Sequence, residues 1–306
     1  MYMDEGWFFK YPTQVRKMDE EKVLVNQKAS DTRKVWFFFI LTFAISWGLW
    51  IPVILFGQEG PYVDYNPLIL LGGYGPFLSA IIITWKVEGK ASLRNWLRRT
   101  FRWRINIVWY LLATFLLPIG IAIFQFGLYL LLGGQADFSN TYPWYAYPVL
   151  YPVSLVLVAV LYGGNEEPGW RGFALPRLLT KYSPIVASFI IAPMWVAWHL
   201  PMYFAPGWSG AGQPLEWFLL YAIGLSLIMT WLYLKSSRSV LPVMLLHAGT
   251  NMVFNYFPME TVVMRSLAYD FNVLKTAVYW TIAIILLITT TGRLGLKPDK
   301  AYEVSE

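Results

Sequence analysis

The two histidines of this chain, His199 and His247, both lie in strongly apolar stretches rather than in loops. Imidazole titrates near neutral pH and is the commonest general acid–base group and metal ligand in proteins. A charged side chain at the centre of a membrane span costs about 2.5 to 3.5 kcal/mol on insertion scales, so ionisable groups there need a reason. One buried histidine could be satisfied by a neighbouring helix, but two, with none elsewhere, favour a functional site.

Two adjacent glutamates, Glu166 and Glu167, stand at the end of another apolar stretch, just before Pro168. Two carboxylates this close rarely ionise equally. Arg171 follows Glu167 by four residues, so a helical turn that begins at Pro168 would pair them. Glu166 would then be the carboxylate available to activate a water molecule. An ordinary solvated turn would have the same sequence, so this motif alone does not decide between the two.

A third motif pairs His247 with Asn251, four residues later on the same helix face. Ala248 and Gly249 between them are small enough to let another helix approach closely. Taken alone, the asparagine favours a structural hydrogen bond between helices.

The elements that must position these residues are membrane spans. Of the 306 residues, 57% are hydrophobic and 14% are charged, whereas soluble domains carry about 25% charged residues. The 16 Trp, 20 Tyr and 20 Phe suit two water–lipid boundaries. The absence of cysteine excludes disulfides, thiolate metal sites and a cysteine nucleophile.

Eight apolar stretches are long enough to cross a bilayer, and they predict an all-α polytopic bundle. They lie near 35–56, 67–85, 106–132, 147–165, 184–205, 215–234, 239–257 and 273–291. The first 34 residues contain no apolar signal-peptide core, so we expect the first span to be an uncleaved anchor.

Lysine and arginine are distributed unevenly between the connections of these spans. Both tails and the even-numbered connections are basic, whereas the first, third and fifth connections have no basic residue. The positive-inside rule therefore predicts cytoplasmic N- and C-termini, with a tail of 1–34, a membrane domain of 35–292 and a tail of 293–306. The net charge of +6 is explained by this orientation, and we expect no nucleic-acid partner. Arg94, Arg98 and Arg102 fall on one face of an amphipathic helix suited to an anionic membrane surface.

The three motifs reach a similar depth in the membrane. At 1.5 Å per residue, Glu166 lies about 20 Å from the predicted cytoplasmic end of its helix, His199 about 22 Å and His247 about 18 Å. A shared site on spans four, five and seven is consistent with these depths.

The motifs resemble those of the CPBP intramembrane proteases, which include the type II CAAX prenyl endopeptidases and the Abi-type, bacteriocin-processing enzymes. The family patterns EExxxR, FxxxH and HxxxN are met in order at residues 166–171, 195–199 and 247–251, with Trp195 in place of phenylalanine. The resemblance covers roughly residues 145–260. It implies an intramembrane endopeptidase that acts on a membrane-associated peptide or protein.

The resemblance also assigns roles to residues. It implies Glu166, His199, His247 and Asn251 as catalytic, supported by Glu167, Arg171 and Trp195. Since either aromatic ring fills the space, we expect the change from phenylalanine to Trp195 to alter little. It is open whether Zn²⁺ is bound. His199, His247 and Glu166 form a known zinc combination, and without metal Glu166 would act as a direct base, with His247 and Asn251 as an oxyanion site.

Two other function classes stay open at this point. A secondary transporter could use Glu166, His199 and His247 as a proton or cation relay, although no paired halves with broken helices are evident. A non-catalytic member of the same family could bind a membrane partner, as immunity proteins do. In every case we expect an integral membrane protein, in the plasma membrane of a prokaryote.

Overall fold

The computed structural model describes residues 12–56, 66–136, 142–205, 214–253 and 271–296, with side chains from Ser30 onward. Within these ranges the chain is helical and contains no strand, so the all-α class is confirmed. The helices are α1 Pro12–Phe56, α2 Pro67–Gly73, α3 Gly75–Thr100, α4 Ile107–Leu131, α5 Tyr147–Leu161, α6 167–178, α7 Pro184–Trp198, α8 Leu215–Lys235, α9 Leu241–Met252 and α10 Phe271–Thr289.

Six spans of the described chain are long and apolar enough to cross a membrane, and the bent pair of α2 and α3, at 48°, would be a seventh. They correspond to seven of the eight predicted stretches. The remaining one, near 239–257, contains α9, which has 12 residues. A helix of that length is about 18 Å long, too short for a hydrocarbon core of about 30 Å. Residues 254–257 of this stretch lie outside the described residues. The described helices therefore give six or seven candidate spans, whereas eight were predicted.

The ends of several helices follow from their sequence. At the start of α7, the Ser183 hydroxyl accepts a hydrogen bond from the Val186 N–H, and Pro184 occupies the first turn, where its missing N–H costs nothing. Asn106 caps α4 in the same way through the N–H of Val108. These caps fix where the predicted fifth and third spans begin.

The interior of the bundle is aromatic and tightly packed. Trp170 on α6 is fully buried, and its ring meets that of Phe38 on α1 edge-on at 5.3 Å. Phe38 also stacks on Phe173 at 5.2 Å. Large apolar side chains such as Leu131 and Ile288 remain exposed on the outside of the bundle, as expected of a surface that faces lipid.

The amphipathic segment predicted at 92–104 is the end of α3, which continues from the membrane span through a π-helical turn at Thr84–Glu88. Trp96 on its inner face is buried, and its indole N–H donates to the Gly172 carbonyl at 3.0 Å. Arg94 and Arg98 on the outer face are exposed. The helix ends at Thr100, earlier than predicted. The α1 helix begins at Pro12, so much of the predicted N-terminal tail is helical.

Candidate active site

The helix of the fourth span breaks at Tyr162 and Gly163, directly before the glutamate pair. Gly163 has a φ of +120°, a conformation that residues with a Cβ rarely adopt. Its N–H donates to the Asn165 side-chain oxygen at 2.9 Å, and its carbonyl accepts the N–H of Glu166 at 3.0 Å. The break therefore ends α5 and turns the chain so that Glu166 and Glu167 start a new helical segment inside the bundle.

Glycines let α9 come unusually close to this break. A Cβ added to Gly163 would lie 2.6 Å from the Asn251 amide nitrogen and 3.0 Å from Nε2 of His247. A Cβ on Gly164 would lie 2.8 Å from the Met244 carbonyl oxygen. Gly249, which the sequence marked as a place of close approach, meets Pro118 of α4 in the same way. The close approach at Gly163 and Gly164, which only glycine permits here, brings the glutamate pair next to the motif of His247 and Asn251.

Glu167, Arg171 and His247 form a fully buried polar network. Nη1 of Arg171 donates to both carboxylate oxygens of Glu167, at 2.9 and 2.8 Å, as the four-residue spacing predicted. Nδ1 of His247 lies 2.7 Å from Oε1 of the same carboxylate. None of the three side chains is more than 5% exposed. A buried charge is tolerated only when it is paired and hydrogen-bonded, and Glu167 meets both conditions.

This network sets the proton positions of His247. A carboxylate that is ion-paired to Arg171 is an acceptor, so Nδ1 of His247 must carry the proton and donate it. Nε2 is then the nitrogen left for chemistry, and it faces Gly163 and the Asn251 amide. A partner that fixes one ring nitrogen and leaves the other for the reaction is a recurrent arrangement in catalytic and metal-binding histidines.

Glu166 is buried but is not part of the ion pair. Only 6% of the residue is exposed, and its Oε2 accepts a 2.5 Å hydrogen bond from the indole N–H of Trp195 on α7. A charge-assisted bond of this length fixes one carboxylate oxygen. Oε1 is the oxygen left for a water molecule.

His199 lies at the C-terminal end of α7, among aromatic rings. Its Nδ1 is 2.9 Å from the Trp195 carbonyl oxygen, and since a carbonyl can only accept, Nδ1 carries the proton here as well. The Trp195 ring lies 4.6 Å from the ring of His199 and 5.8 Å from that of His247. Trp195 therefore contacts both histidines and Glu166.

Asn251 is the exposed member of the group. Its amide nitrogen donates to the Tyr162 carbonyl at 3.0 Å, across the helix break. Through these contacts the structure brings all seven predicted site residues into one region where α5, α6, α7 and α9 meet.

Comparison with known proteins finds similarity over the part of the chain that contains these residues. Residues 148–253 match the family model described as Type II CAAX prenyl endopeptidase Rce1-like. The chain is 24% identical over 268 residues to a protein of Methanococcus maripaludis named CAAX prenyl protease 2, across 82% of this chain and 92% of that protein. This part of the chain is therefore similar to the Rce1-like family. The protein is an integral membrane protein, and the matched range contains every residue of the site described above.

Trp195 is where this chain departs from the family pattern. Its ring fills the space of a phenylalanine, as expected of either aromatic residue, and its N–H also holds the Glu166 carboxylate, a bond that phenylalanine cannot make. The signal was present in the residue type, because a buried tryptophan usually finds a partner for its N–H.

The histidines and Glu166 do not form a metal site as they are arranged. Among the described residues, no three His, Asp or Glu side chains are placed so that they could hold one metal ion. In addition, the Trp195 indole N–H is hydrogen-bonded to Oε2 of Glu166, and its ring contacts both imidazole rings. The three side chains therefore do not fit a metal in these positions.

Two residues that shape the candidate site had been given no role from the sequence. Gly163 supplies the left-handed turn, and Asn165 holds the turn through its side-chain oxygen. The Asn165 amide nitrogen is buried and has no hydrogen-bond partner in the described part of the chain. Both stand in the same short motif as Glu166, which is where a signal could have been found.

Proposed function

We propose that this protein hydrolyses a peptide bond in a membrane-associated protein or peptide, with Glu166 as the base that activates water. The observation that carries the proposal is the separation of the two carboxylates. Glu167 is neutralised by Arg171 and His247, whereas Glu166 has no cationic partner within ion-pair distance in the described chain and keeps one oxygen for water. A buried base held by one oxygen suits general-base catalysis.

The proposed reaction proceeds in two steps. Glu166 removes a proton from water as the water oxygen attacks the peptide carbonyl carbon, which gives a tetrahedral intermediate with a negatively charged oxygen. Glu166 then returns that proton to the amide nitrogen as the carbon–nitrogen bond breaks. The products are a carboxylic acid and an amine, so all atoms are accounted for.

The oxyanion of the intermediate needs hydrogen-bond donors. We assign this role to the Asn251 amide and to Nε2 of His247 in its protonated form. The Glu167 carboxylate on Nδ1 stabilises the resulting imidazolium, and Arg171 keeps that carboxylate ionised and in place. His199, whose Nδ1 is fixed on the Trp195 carbonyl, presents Nε2 as an acceptor that can orient the attacking water.

A prenylated peptide is the substrate class that we propose to test first, because the relative from Methanococcus maripaludis is named a CAAX prenyl protease. A peptide of the same sequence without the prenyl group is the matched comparison. We also propose a prokaryotic plasma membrane as the location, which fits an archaeal relative and the two tails of basic composition.

Substitution of Glu166 tests the mechanism. We expect Glu166→Gln to abolish cleavage of a fluorogenic peptide, because the amide cannot accept the proton. Glu216→Gln removes the same charge from an exposed position on α8 and should leave cleavage unchanged. Both variants should insert and unfold like the parent. Undiminished cleavage by Glu166→Gln would overturn the mechanism, and an inactive parent with every peptide would favour a non-catalytic member of the family.

A zinc-dependent form of the same reaction is our second proposal. If Glu166, His199 and His247 left their present partners and converged, they would be the residues that hold the ion, and it would supply a more acidic water. Metal analysis of the purified protein, with cleavage measured before and after chelation, separates the two proposals. If Glu166 acts directly, cleavage survives chelation. Loss of cleavage that added Zn²⁺ restores would establish the zinc proposal.

A further inference from the structure

A cavity of about 730 Å³ lies at one end of the bundle, where α1, α3, α6, α8 and the segment after α10 meet. It does not include any residue of the candidate active site. Six basic side chains line it: Lys34, Arg99, Arg102, Arg177, Lys235 and Arg238. Asp31 and Glu88 are the acidic residues of the same lining. Six cations and two carboxylates leave this lining with a net charge of +4.

The two carboxylates already form ion pairs within the cavity wall. Oε1 of Glu88 lies 2.7 Å from Nη2 of Arg177 and 3.0 Å from Nζ of Lys34. Asp31 lies 3.8 Å from the same lysine. Two carboxylates cannot balance six cations however they pair, so the described part of the cavity wall carries an excess of positive charge. A concave surface with charge of one sign concentrates the opposite ion.

The basic groups also converge. The buried phenol of Tyr233 lies in the electrostatic field of four guanidinium groups, those of Arg99, Arg102, Arg177 and Arg238. Arg177 is largely buried, and its Nε has no hydrogen-bond acceptor among the described residues. The guanidinium is held in the cavity wall through its Nη atoms, which donate to the Phe173 carbonyl and to Glu88.

The position of the cavity identifies the kind of anion. It is lined by the first turn of the α1 span, the end of α3 and the end of α8. Trp103, which follows the cavity residue Arg102, is about two-thirds exposed, and tryptophan is enriched at membrane–water interfaces. The cavity therefore lies at the level of phospholipid headgroups.

We propose that this cavity binds the phosphate of an anionic phospholipid headgroup. Guanidinium groups bind phosphate oxygens through paired, charge-assisted hydrogen bonds, and basic pockets between helix ends are known sites for anionic headgroups. The volume lies within the range of small-molecule sites, about 300 to 1,000 Å³. A lipid bound here would tie together the middle of α1 and the ends of α3 and α8, next to α6, the segment that starts with Glu167.

The test compares two pairs of arginines from the same short stretch. Arg99→Gln with Arg102→Gln removes two charges from the cavity. Arg94→Gln with Arg98→Gln removes two charges from exposed positions that do not line it. The full chain is delipidated in detergent and titrated with phosphatidylglycerol or phosphatidylcholine, with native mass spectrometry and thermal unfolding as readouts. Inorganic phosphate, matched in ionic strength with chloride, is the third arm.

The parent protein should retain phosphatidylglycerol and be stabilised by it, and phosphatidylcholine should do neither. Loss of two basic groups at an anionic surface, at about fivefold each, lowers the affinity of the cavity variant about 30-fold. The control variant should change by less than about threefold. Equal losses in both variants, or equal binding of the two lipids, would overturn the proposal. If inorganic phosphate stabilised the protein as much as phosphatidylglycerol does, free phosphate would be the ligand and the lipid proposal would be overturned.

Folding of the variants is checked by the unfolding midpoint without lipid. If the first cavity variant does not fold, Arg102→Gln with Lys235→Gln replaces it, because both of these residues are exposed. The same 30-fold loss is expected, and full retention of phosphatidylglycerol by this variant would be equally decisive against the proposal.

Discussion

Replacement of Trp195 by phenylalanine isolates one hydrogen bond at the proposed base. The change removes the indole N–H that donates to Oε2 of Glu166 at 2.5 Å. It keeps an aromatic ring beside His199, and phenylalanine is the residue that the family pattern has at this position. The variant therefore asks whether the departure from the pattern matters to this protein.

The size of the effect follows from the type of bond. A hydrogen bond to a charged group contributes about 1.5 to 3 kcal/mol, and each 1.36 kcal/mol is about tenfold in rate. If Glu166 must hold its position in the transition state, Trp195→Phe should lower kcat/KM about 10- to 100-fold. The bond joins two groups of the enzyme and none of the substrate, so the loss should be in kcat, with KM little changed.

Trp198→Phe is the matched control. Trp198 lies on the same helix and is 1% exposed, so the substitution creates a similar loss of volume. Its indole N–H has no hydrogen-bond partner in the described part of the chain. We expect its kcat/KM to stay within about threefold of the parent value, since no bond to the proposed base is lost.

The assay measures kcat and KM for one fluorogenic peptide with the parent and both variants, after the unfolding midpoints have been compared. The reasoning predicts that Trp195→Phe falls well below Trp198→Phe in kcat. Equal activities of the two variants would refute it, since the hydrogen bond to Glu166 would then contribute nothing. A loss confined to KM would refute it as well, because it would place Trp195 at the substrate.

Further predictions concern the groups around the proposed base. Arg171→Met leaves the Glu167 carboxylate buried with His247 alone and should lower the free energy of unfolding by about 3 to 5 kcal/mol, measured by denaturant unfolding in detergent. Combining it with Glu167→Gln should recover part of that loss, and a fully additive loss would contradict the ion pair. Gly163→Ala requires φ of +120° for alanine and places its Cβ 2.6 Å from the Asn251 nitrogen. Its kcat/KM should fall at least about tenfold, whereas Gly120→Ala, where a Cβ meets nothing within 4 Å, should be neutral.

Much of the fold was predictable because a bilayer imposes local rules. Every backbone polar group in lipid must be satisfied within its own helix, so a run of apolar residues is enough to predict a span, and seven of the eight predicted stretches correspond to candidate spans. The eighth, near 239–257, runs past the described residues, which in this stretch end at Val253, directly after the 12 residues of α9. The pairing of Glu167 with Arg171 was predictable for the same local reason, since residues four apart in one helix are neighbours.

The remainder of the site depends on contacts between helices. His247 is 80 residues from Glu167, and Trp195 is 29 residues from Glu166, so neither hydrogen bond follows from spacing along the chain. The sequence by itself determined which residues are costly to bury and which helices carry them. Only the tertiary structure decided which partner each one has, because the left-handed turn at Gly163 and its contact with α9 set the distances on which hydrogen bonds depend.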